Sequence, residues 1–368
     1  MHYKRIVIKI GTSTITDEKG NLNLRQMRIL VEQVTQMSNQ GREVILVTSG
    51  AIGAGVGRLD LHTRPQTIRE KQAVAAVGQT HLMRHYEELF NEFGFKVAQI
   101  LLTQEDMRAR DRYLNARNTI MTLLEYKVVP IINENDTVAI EEIRFGDNDT
   151  LSALVASKIE ADLLVILSDV AGLYTSDPHK DKDAELINVV DEINDEVETI
   201  ALKSTGSSRG VGGMYTKIQA AKIATASGVM VVIADGMKAS VLSDIFKGDD
   251  IGTKFLPSQA KISGRKKWIA FANRSSGKIM IDDGAVKALT KMGKSLLPSG
   301  VVSVEGDFRL GDMVTVVDGD GDEVARGLVS FSSDEIEKIK GKKTSEIGKI
   351  LGHNDYDEVI HRDNLVIV

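Results

Sequence analysis

Between residue 5 and about residue 235 the chain alternates two textures. Short unbroken runs of β-branched and aliphatic residues are followed by segments whose apolar positions recur at helical spacing. The runs are Ile6-Val7-Ile8, Val44 to Val47, Val97 to Leu102, Val128 to Ile132, Leu163 to Leu167 and Val229 to Ile233. A strand with one wet face alternates apolar and polar residues, so runs that are apolar throughout belong to strands covered on both faces. In the first intervening segment Leu24, Met27, Leu30, Val31, Val34 and Met37 share one helix face, and Gly41 supplies a stop. Strands separated by such helices imply βαβ units, hence an α/β sandwich with a mainly parallel central sheet. Ligands of such sheets gather at the carboxyl ends of the strands, so the polar residues at those ends carry the functional reading.

The texture changes after Pro257. Ser258 to Lys267 is polar and basic and includes Ser263-Gly264, as a linker would. Short strands separated by tight turns follow: Gly277 to Ile281, Gly300 to Val304, Asp312 to Val317, Val324 to Val329 and Asn364 to Val368. This pattern predicts an α/β domain over 1–257, a linker over 258–274 and a small, mostly β domain over 275–368. A length of 368 residues lets each domain bury its own core. A net charge of −6 argues against a general polyanion binder. The absence of cysteine rules out disulfides and thiolate metal sites and suits a reducing compartment. The start runs directly into a strand, and no apolar run approaches the roughly 20 residues that span a bilayer. The expectation is a cytoplasmic protein.

At the end of the first strand stands Lys9-Ile10-Gly11-Thr12-Ser13. Glycine lets backbone N–H groups approach a phosphate and lysine adds charge, although a solvated strand end is the more ordinary reading of these residues alone. The second strand runs into Thr48-Ser49-Gly50 and on to Gly57. Its glycines suggest a loop that wraps an anion with backbone donors. They do not fall as a dinucleotide fingerprint, and Lys217 is followed by Ile218, so no Walker A sequence is present.

Two polar clusters adjoin apolar segments: Asn133-Glu134-Asn135-Asp136, and Asp147-Asn148-Asp149 at the start of a helix. A helix needs one cap, and this surplus calls for another role. An acidic residue between two lysines would hold them for a phosphoryl group in flight, a reaction that depends on positioning and charge stabilisation. Ser168-Asp169 marks a further strand end, and Gly210 to Lys217 opens a helix read as Lys217 to Ala226; glycines ahead of a helix are a general phosphate-binding device. Two other patterns are set aside. Asp318, Asp320 and Asp322 alternate like a calcium loop, but Glu323 and Val329 occupy its glycine and glutamate positions, leaving a hairpin turn. His81 and His85 lie one helical turn apart without the glutamate of a zinc motif, and read as a helix face.

Several stretches together resemble the glutamate 5-kinase family: Val7 to Ser13, Val47 to Gly55, Leu114 to Arg117, Ile132 to Val138, Phe145 to Ala153, and Gly212-Gly213-Met214-x-Thr216-Lys217. The similarity covers essentially the whole chain, its last part resembling a PUA domain. It implies an amino-acid-kinase-like αβα sandwich with a PUA-like C-terminal domain, and ATP-dependent phosphorylation of the L-glutamate side-chain carboxylate with Mg²⁺, the first step of proline biosynthesis. By position, Lys9 and Lys217 would contact the phosphates, and Asp149 would organise them. Ser49, Asp136 and Asn148 would bind glutamate. Ser168, Asp169 and the run Val211, Gly212, Gly213, Met214, Tyr215, Thr216 and Lys217 would line the ATP site. The family often has threonine at the positions of Ser168 and Val211, and serine at that of Tyr215; Val211 leaves only backbone contacts there.

The resemblance further implies proline as a feedback inhibitor near the glutamate site, hand-off of a water-labile product to a glutamyl-phosphate reductase, and a homo-oligomer, tetramer or dimer. Kinases of the same fold acting on N-acetylglutamate, aspartate or uridylate are the near alternatives, and the PUA-like tail disfavours them. RNA binding by that tail is the alternative of another class. It is disfavoured because Lys338, Lys340, Lys342, Lys343 and Lys349 alternate with Glu335, Glu337 and Glu346, with hardly an aromatic for stacking.

Overall fold

A computed structural model describes residues 3–17, 21–139, 148–178, 180–203, 213–257, 275–353 and 356–367. The chain separates into two compact units, Met1–Gln259 and Ala260–Val368. The expected linker, 258–274, lies outside the described residues.

The first unit is the sandwich that the apolar runs demand. Its strands are β1 (Arg5–Ile10), β2 (Glu43–Thr48), β3 (Lys96–Leu102), β4 (Val128–Glu134), β5 (Leu163–Ser168), β6 (Val189–Val190), β7 (Met230–Asp235) and β8 (Thr253–Phe255). They form an eight-stranded sheet in the order β3-β4-β2-β1-β5-β7-β8-β6. Neighbours are parallel except β7 and β8, which run antiparallel. The described helices are α1 (Thr12–Ile15), α2 (Leu24–Asn39), α3 (Ala51–Arg58), α4 (Ile68–Glu92), α5 (Gln104–Arg108), α6 (Arg110–Glu125), α7 (Asn148–Lys158), α8 (Asp195–Lys203), α9 (Met214–Ala226) and α10 (Val241–Lys247). Helix α9 starts three residues before the expected Lys217, with Gly213 as its N-cap.

Strand periodicity sorts the core into two layers. Ile6, Ile8 and Ile10 pack with Met27, Leu30 and Val34 of α2 and Leu82, Tyr86 and Phe90 of α4. Val7 faces the other way, into a layer with Ile120 of α6, Leu151 and Val155 of α7 and Ile218 and Ala221 of α9. Each layer excludes water from one face of the sheet, which is why the central strands keep their polar residues to their ends. Local signals agree with this arrangement. Asn23 caps α2 by accepting from the Gln26 N–H at 3.1 Å, and Thr67 with Glu70 forms a capping box on α4. Past α2, Gly41 takes φ +82° while the Arg42 N–H reaches back to the Met37 carbonyl. No described helix is long and apolar enough to cross a membrane.

The second unit holds β9 (Gly277–Ile281), α11 (Asp283–Met292), β10 (Val301–Glu305), β11 (Met313–Val317), β12 (Glu323–Leu328), α12 (Ser333–Ile339), α13 (Ile347–Leu351) and β13 (Leu365–Ile367). Its sheet runs β10-β9-β11-β12-β13, with only β9 and β11 parallel. A separate core includes Ile279, Phe308, Val314, Phe331 and Ile360. The aspartate alternation is a turn of the β11–β12 hairpin: Asp318 Oδ1 accepts from the N–H groups of Asp320 (3.1 Å) and Asp322 (2.9 Å).

Candidate active site

Lys9 is the penultimate residue of β1, a central strand, and strand periodicity sends its side chain to the same face as Val7. That is the α7/α9 layer. It is 3% exposed, so the solvated strand end is not what forms. Asp149 stands in the first turn of α7 and is fully buried; Lys217 stands in the first turn of α9 and is 3% exposed. The three meet. Asp149 Oδ1 lies 2.7 Å from Lys9 Nζ, and Oδ2 lies 3.3 Å from Lys217 Nζ. The Thr216 hydroxyl is 2.9 Å from Oδ2 and 2.8 Å from the Gly213 carbonyl.

Burial alone would raise the Asp149 pKa. The charges of Lys9 and Lys217, with hydrogen bonds from Lys9 and Thr216, outweigh it and hold the carboxyl well below the usual range. Asp149 is therefore ionised at any physiological pH. Two ammonium groups thus share one carboxylate in a dry place, beside the N-terminus of α9. A phosphate oxygen is the natural complement of such a centre.

The neighbouring helix residue builds a second cluster. Asn148 Nδ2 donates to Ser49 Oγ (3.2 Å) and to Asn133 Oδ1 (3.1 Å), and Asn148 Oδ1 accepts from the Glu134 N–H (3.2 Å). Ser49 follows β2 and Asn133 stands near the end of β4, so adjacent strand ends meet the start of α7. Asn133, named in the sequence only as part of a polar cluster, joins this hydrogen-bonded group as an amide at the buried end of an apolar run. Asp136, beyond β4, makes no hydrogen bond or ion pair through its side chain among the described residues. Burial pushes its carboxyl up to about 6.

Ser168 closes β5 and is buried, its hydroxyl donating to the exposed Asp169 at 3.0 Å. Met214 is buried, and Tyr215 and Thr216 are partly buried in the first turn of α9. Val211, Gly212 and Asp147 lie outside the described residues.

The glycine-rich stretch after β2 corrects an expectation. It is not a loop wrapping an anion: only Gly50, at φ +96°, turns the chain, and the rest forms α3. Gly55 serves helix packing. A Cβ there would stand 2.0 Å from the Val74 carbonyl oxygen, and one at Gly78 of α4 would stand 1.8 Å from the Ala51 oxygen. The glycines let α3 and α4 cross backbone to backbone.

The chain matches the amino acid kinase family over residues 4–235 and the PUA domain over residues 277–351. It is 58% identical to a glutamate 5-kinase of Thermoanaerobacter sp. (strain X514) over 364 residues, 99% of this chain and 98% of that protein. It is 53% identical to the glutamate 5-kinase of Moorella thermoacetica, over 99% of this chain and 96% of that protein. With the glutamate 5-kinase of Dictyoglomus thermophilum it shares 50% identity, over 100% of this chain and 98% of that one.

Proposed function

Because the chain belongs to the amino acid kinase family, among its glutamate 5-kinases, we propose that it moves the γ-phosphoryl group of ATP onto the side-chain carboxylate of L-glutamate. The product is L-glutamyl 5-phosphate, and the step opens proline biosynthesis. The observation that carries this reading is the buried group in which Asp149 holds Lys9 and Lys217 at 2.7 and 3.3 Å.

The nucleophile needs no base. A γ-carboxylate has an unperturbed pKa of about 4.3 and is ionised at neutral pH. One of its oxygens forms a bond to the γ-phosphorus while the bond from phosphorus to the ADP oxygen breaks, in line. Lys9 and Lys217 contact the phosphate oxygens and take up their charge, and Asp149 keeps both ammoniums in place. Ser49, Asn148 and Asp136 bind glutamate, with the Asp136 carboxylate opposite the substrate ammonium. Ser168, Asp169 and the stretch from Val211 to Lys217 line the nucleotide. Mg²⁺ carried in with ATP would supply further neutralisation of the phosphate charge that Lys9 and Lys217 take up. Among the described residues no group of three or more His, Asp or Glu is placed to hold a metal ion.

Proline shares a carboxylate and an ammonium with glutamate and competes for the same groups, so it raises KM for glutamate and leaves kcat unchanged. The acyl phosphate is destroyed by water, which favours hand-off to a reductase; co-purification or rate coupling tests this. Sedimentation distinguishes the dimer or tetramer from a monomer.

The decisive assay follows ADP release from Mg-ATP with glutamate, N-acetylglutamate, aspartate or UMP, with hydroxylamine trapping any acyl phosphate. Turnover confined to glutamate, with a hydroxamate product, is expected. Turnover only with another acceptor overturns the substrate.

A further inference from the structure

Gln79 lies outside every motif described above, yet side-chain amides join it to the substrate side of the site without a break. Gln79 Oε1 accepts from Asn133 Nδ2 at 2.8 Å, and Gln79 Nε2 donates to Gln99 Oε1 on β3 at 3.0 Å. Asn133 Oδ1 accepts from Asn148 Nδ2, whose other contact is Ser49 Oγ.

The polarity of this line is set by a backbone group. The Glu134 N–H can only donate, and it reaches Asn133 Oδ1 at 2.9 Å and Asn148 Oδ1 at 3.2 Å. Both oxygens are thereby identified, so both NH₂ groups point away from it. That of Asn148 meets Ser49, whose oxygen accepts and whose own proton stays available to a substrate carboxylate. Among the described residues, that of Asn133 has only Gln79. Asn133 is 2% exposed, so no bulk water can replace the Gln79 carbonyl. Reversing the Asn133 amide would place NH₂ against NH₂ at Asn148. Asn148 would then turn its oxygen onto Ser49 and take the proton that substrate needs.

Helix α4 is held in register for this contact. The close approach at Gly78 presses α4 against the first turn of α3, which begins two residues after Ser49. Gln79 is the next residue. One point on α4 thus supports Ser49 through the backbone of α3 and Asn148 through the amide line.

We propose that Gln79 is a positioning residue for glutamate: its carbonyl satisfies and holds the Asn133 NH₂ that the Glu134 N–H turns towards it, and through Asn133 and Asn148 it aims the Ser49 hydroxyl at a substrate carboxylate. This rests on the glutamate-kinase reading of the site.

The test is steady-state kinetics of the full chain with both substrates varied, for Gln79→Met, Gln79→Glu and Gln99→Met. Gln79→Met keeps the length but has no acceptor. It is expected to raise KM for glutamate about tenfold, the effect of one buried amide donor left unsatisfied, with KM for ATP within about twofold. Gln99→Met leaves the Gln79 carbonyl on Asn133 and is expected to change KM for glutamate less than about threefold. Gln79→Glu keeps an oxygen for Asn133 and serves also if Gln79→Met does not fold; it is expected within about threefold of the unmodified protein. An unchanged KM for glutamate in Gln79→Met overturns the proposal. So does a parallel rise in both KM values, or a Gln79→Glu no better than Gln79→Met. If the unmodified protein does not phosphorylate glutamate, it is the proposed function that falls; if it does and these values stay put, only the role of Gln79 falls.

Discussion

Asp149 faces two ammonium groups in a place that water does not reach. Removing one partner of a buried ionic group leaves the others uncompensated, at a cost on the order of 3–5 kcal/mol. Asp149→Asn is therefore expected to lower the unfolding free energy by about that amount in a denaturant titration. It should also lower kcat by about 100-fold or more, because the two ammoniums lose their organiser. Full stability and activity in this variant would show that the cluster is dispensable. Asp136 behaves oppositely. Its carboxyl is pushed up to about 6, so its contribution to stability is complete below the unfolded value of 3.8 and is lost as pH rises through about 6. Asp136→Asn should consequently stabilise the protein at pH 8 by on the order of 1–3 kcal/mol, a gain that shrinks towards pH 4. In the unmodified protein KM for glutamate should climb as pH falls below 6, since only the carboxylate attracts an ammonium; a flat profile from pH 8 to 5 would remove Asp136 from the substrate site. Lys9 stood out at the end of an apolar strand, Asp149 in a surplus of short polar residues at the start of a helix, and Lys217 behind a glycine run that opens one. Gln79 did not: a lone glutamine on a long polar helix carries no pattern.

Elements place these residues by their periods. A period of two sends Lys9 to the layer where α7 and α9 start, and a strand one residue out of register would have put it against α2. The helix crossing at Gly55 and Gly78 is the least forgiving contact of the site. Replacing glycine by alanine inside a helix normally gains up to about 1 kcal/mol in propensity. At Gly78 the new methyl would lie 1.8 Å from a backbone oxygen, so the helices must separate. Gly78→Ala is expected to destabilise by about 1–3 kcal/mol, measured by chemical denaturation, and to raise KM for glutamate more than KM for ATP, because α3 carries the chain just after Ser49. A stabilised variant would mean that the crossing has slack. The glycine run after β2 was visible in the sequence, but its use was not. The same residues suit an anion-binding loop or a close helix pair, and the partner that decides is Val74, some twenty positions away in the chain.

At the scale of the molecule, the described site residues all fall within Met1–Gln259, and the second unit closes a core of its own. We propose the boundary near residue 257 as functional too: a fragment of residues 1–257 should retain glutamate-dependent ADP release, and its complete loss would assign the second unit a part in the site. The order of apolar runs determined the layered α/β architecture by itself, because runs without polar positions cannot face water and strands joined through helices pair in parallel. Lysines and short polar residues beside apolar and glycine-rich stretches also pointed to Lys9, Asp149 and Lys217, which the fold brings together. Tertiary structure decided the rest. It chose which carboxylate pairs with which lysine, turned a glycine run into a helix crossing, and connected Gln99, Gln79, Asn133, Asn148 and Ser49 across 99 positions between the last two. Periodicity is a property of neighbours in the chain, whereas pairing a buried charge or aiming a buried amide depends on residues that only the folded chain brings within about 3 Å.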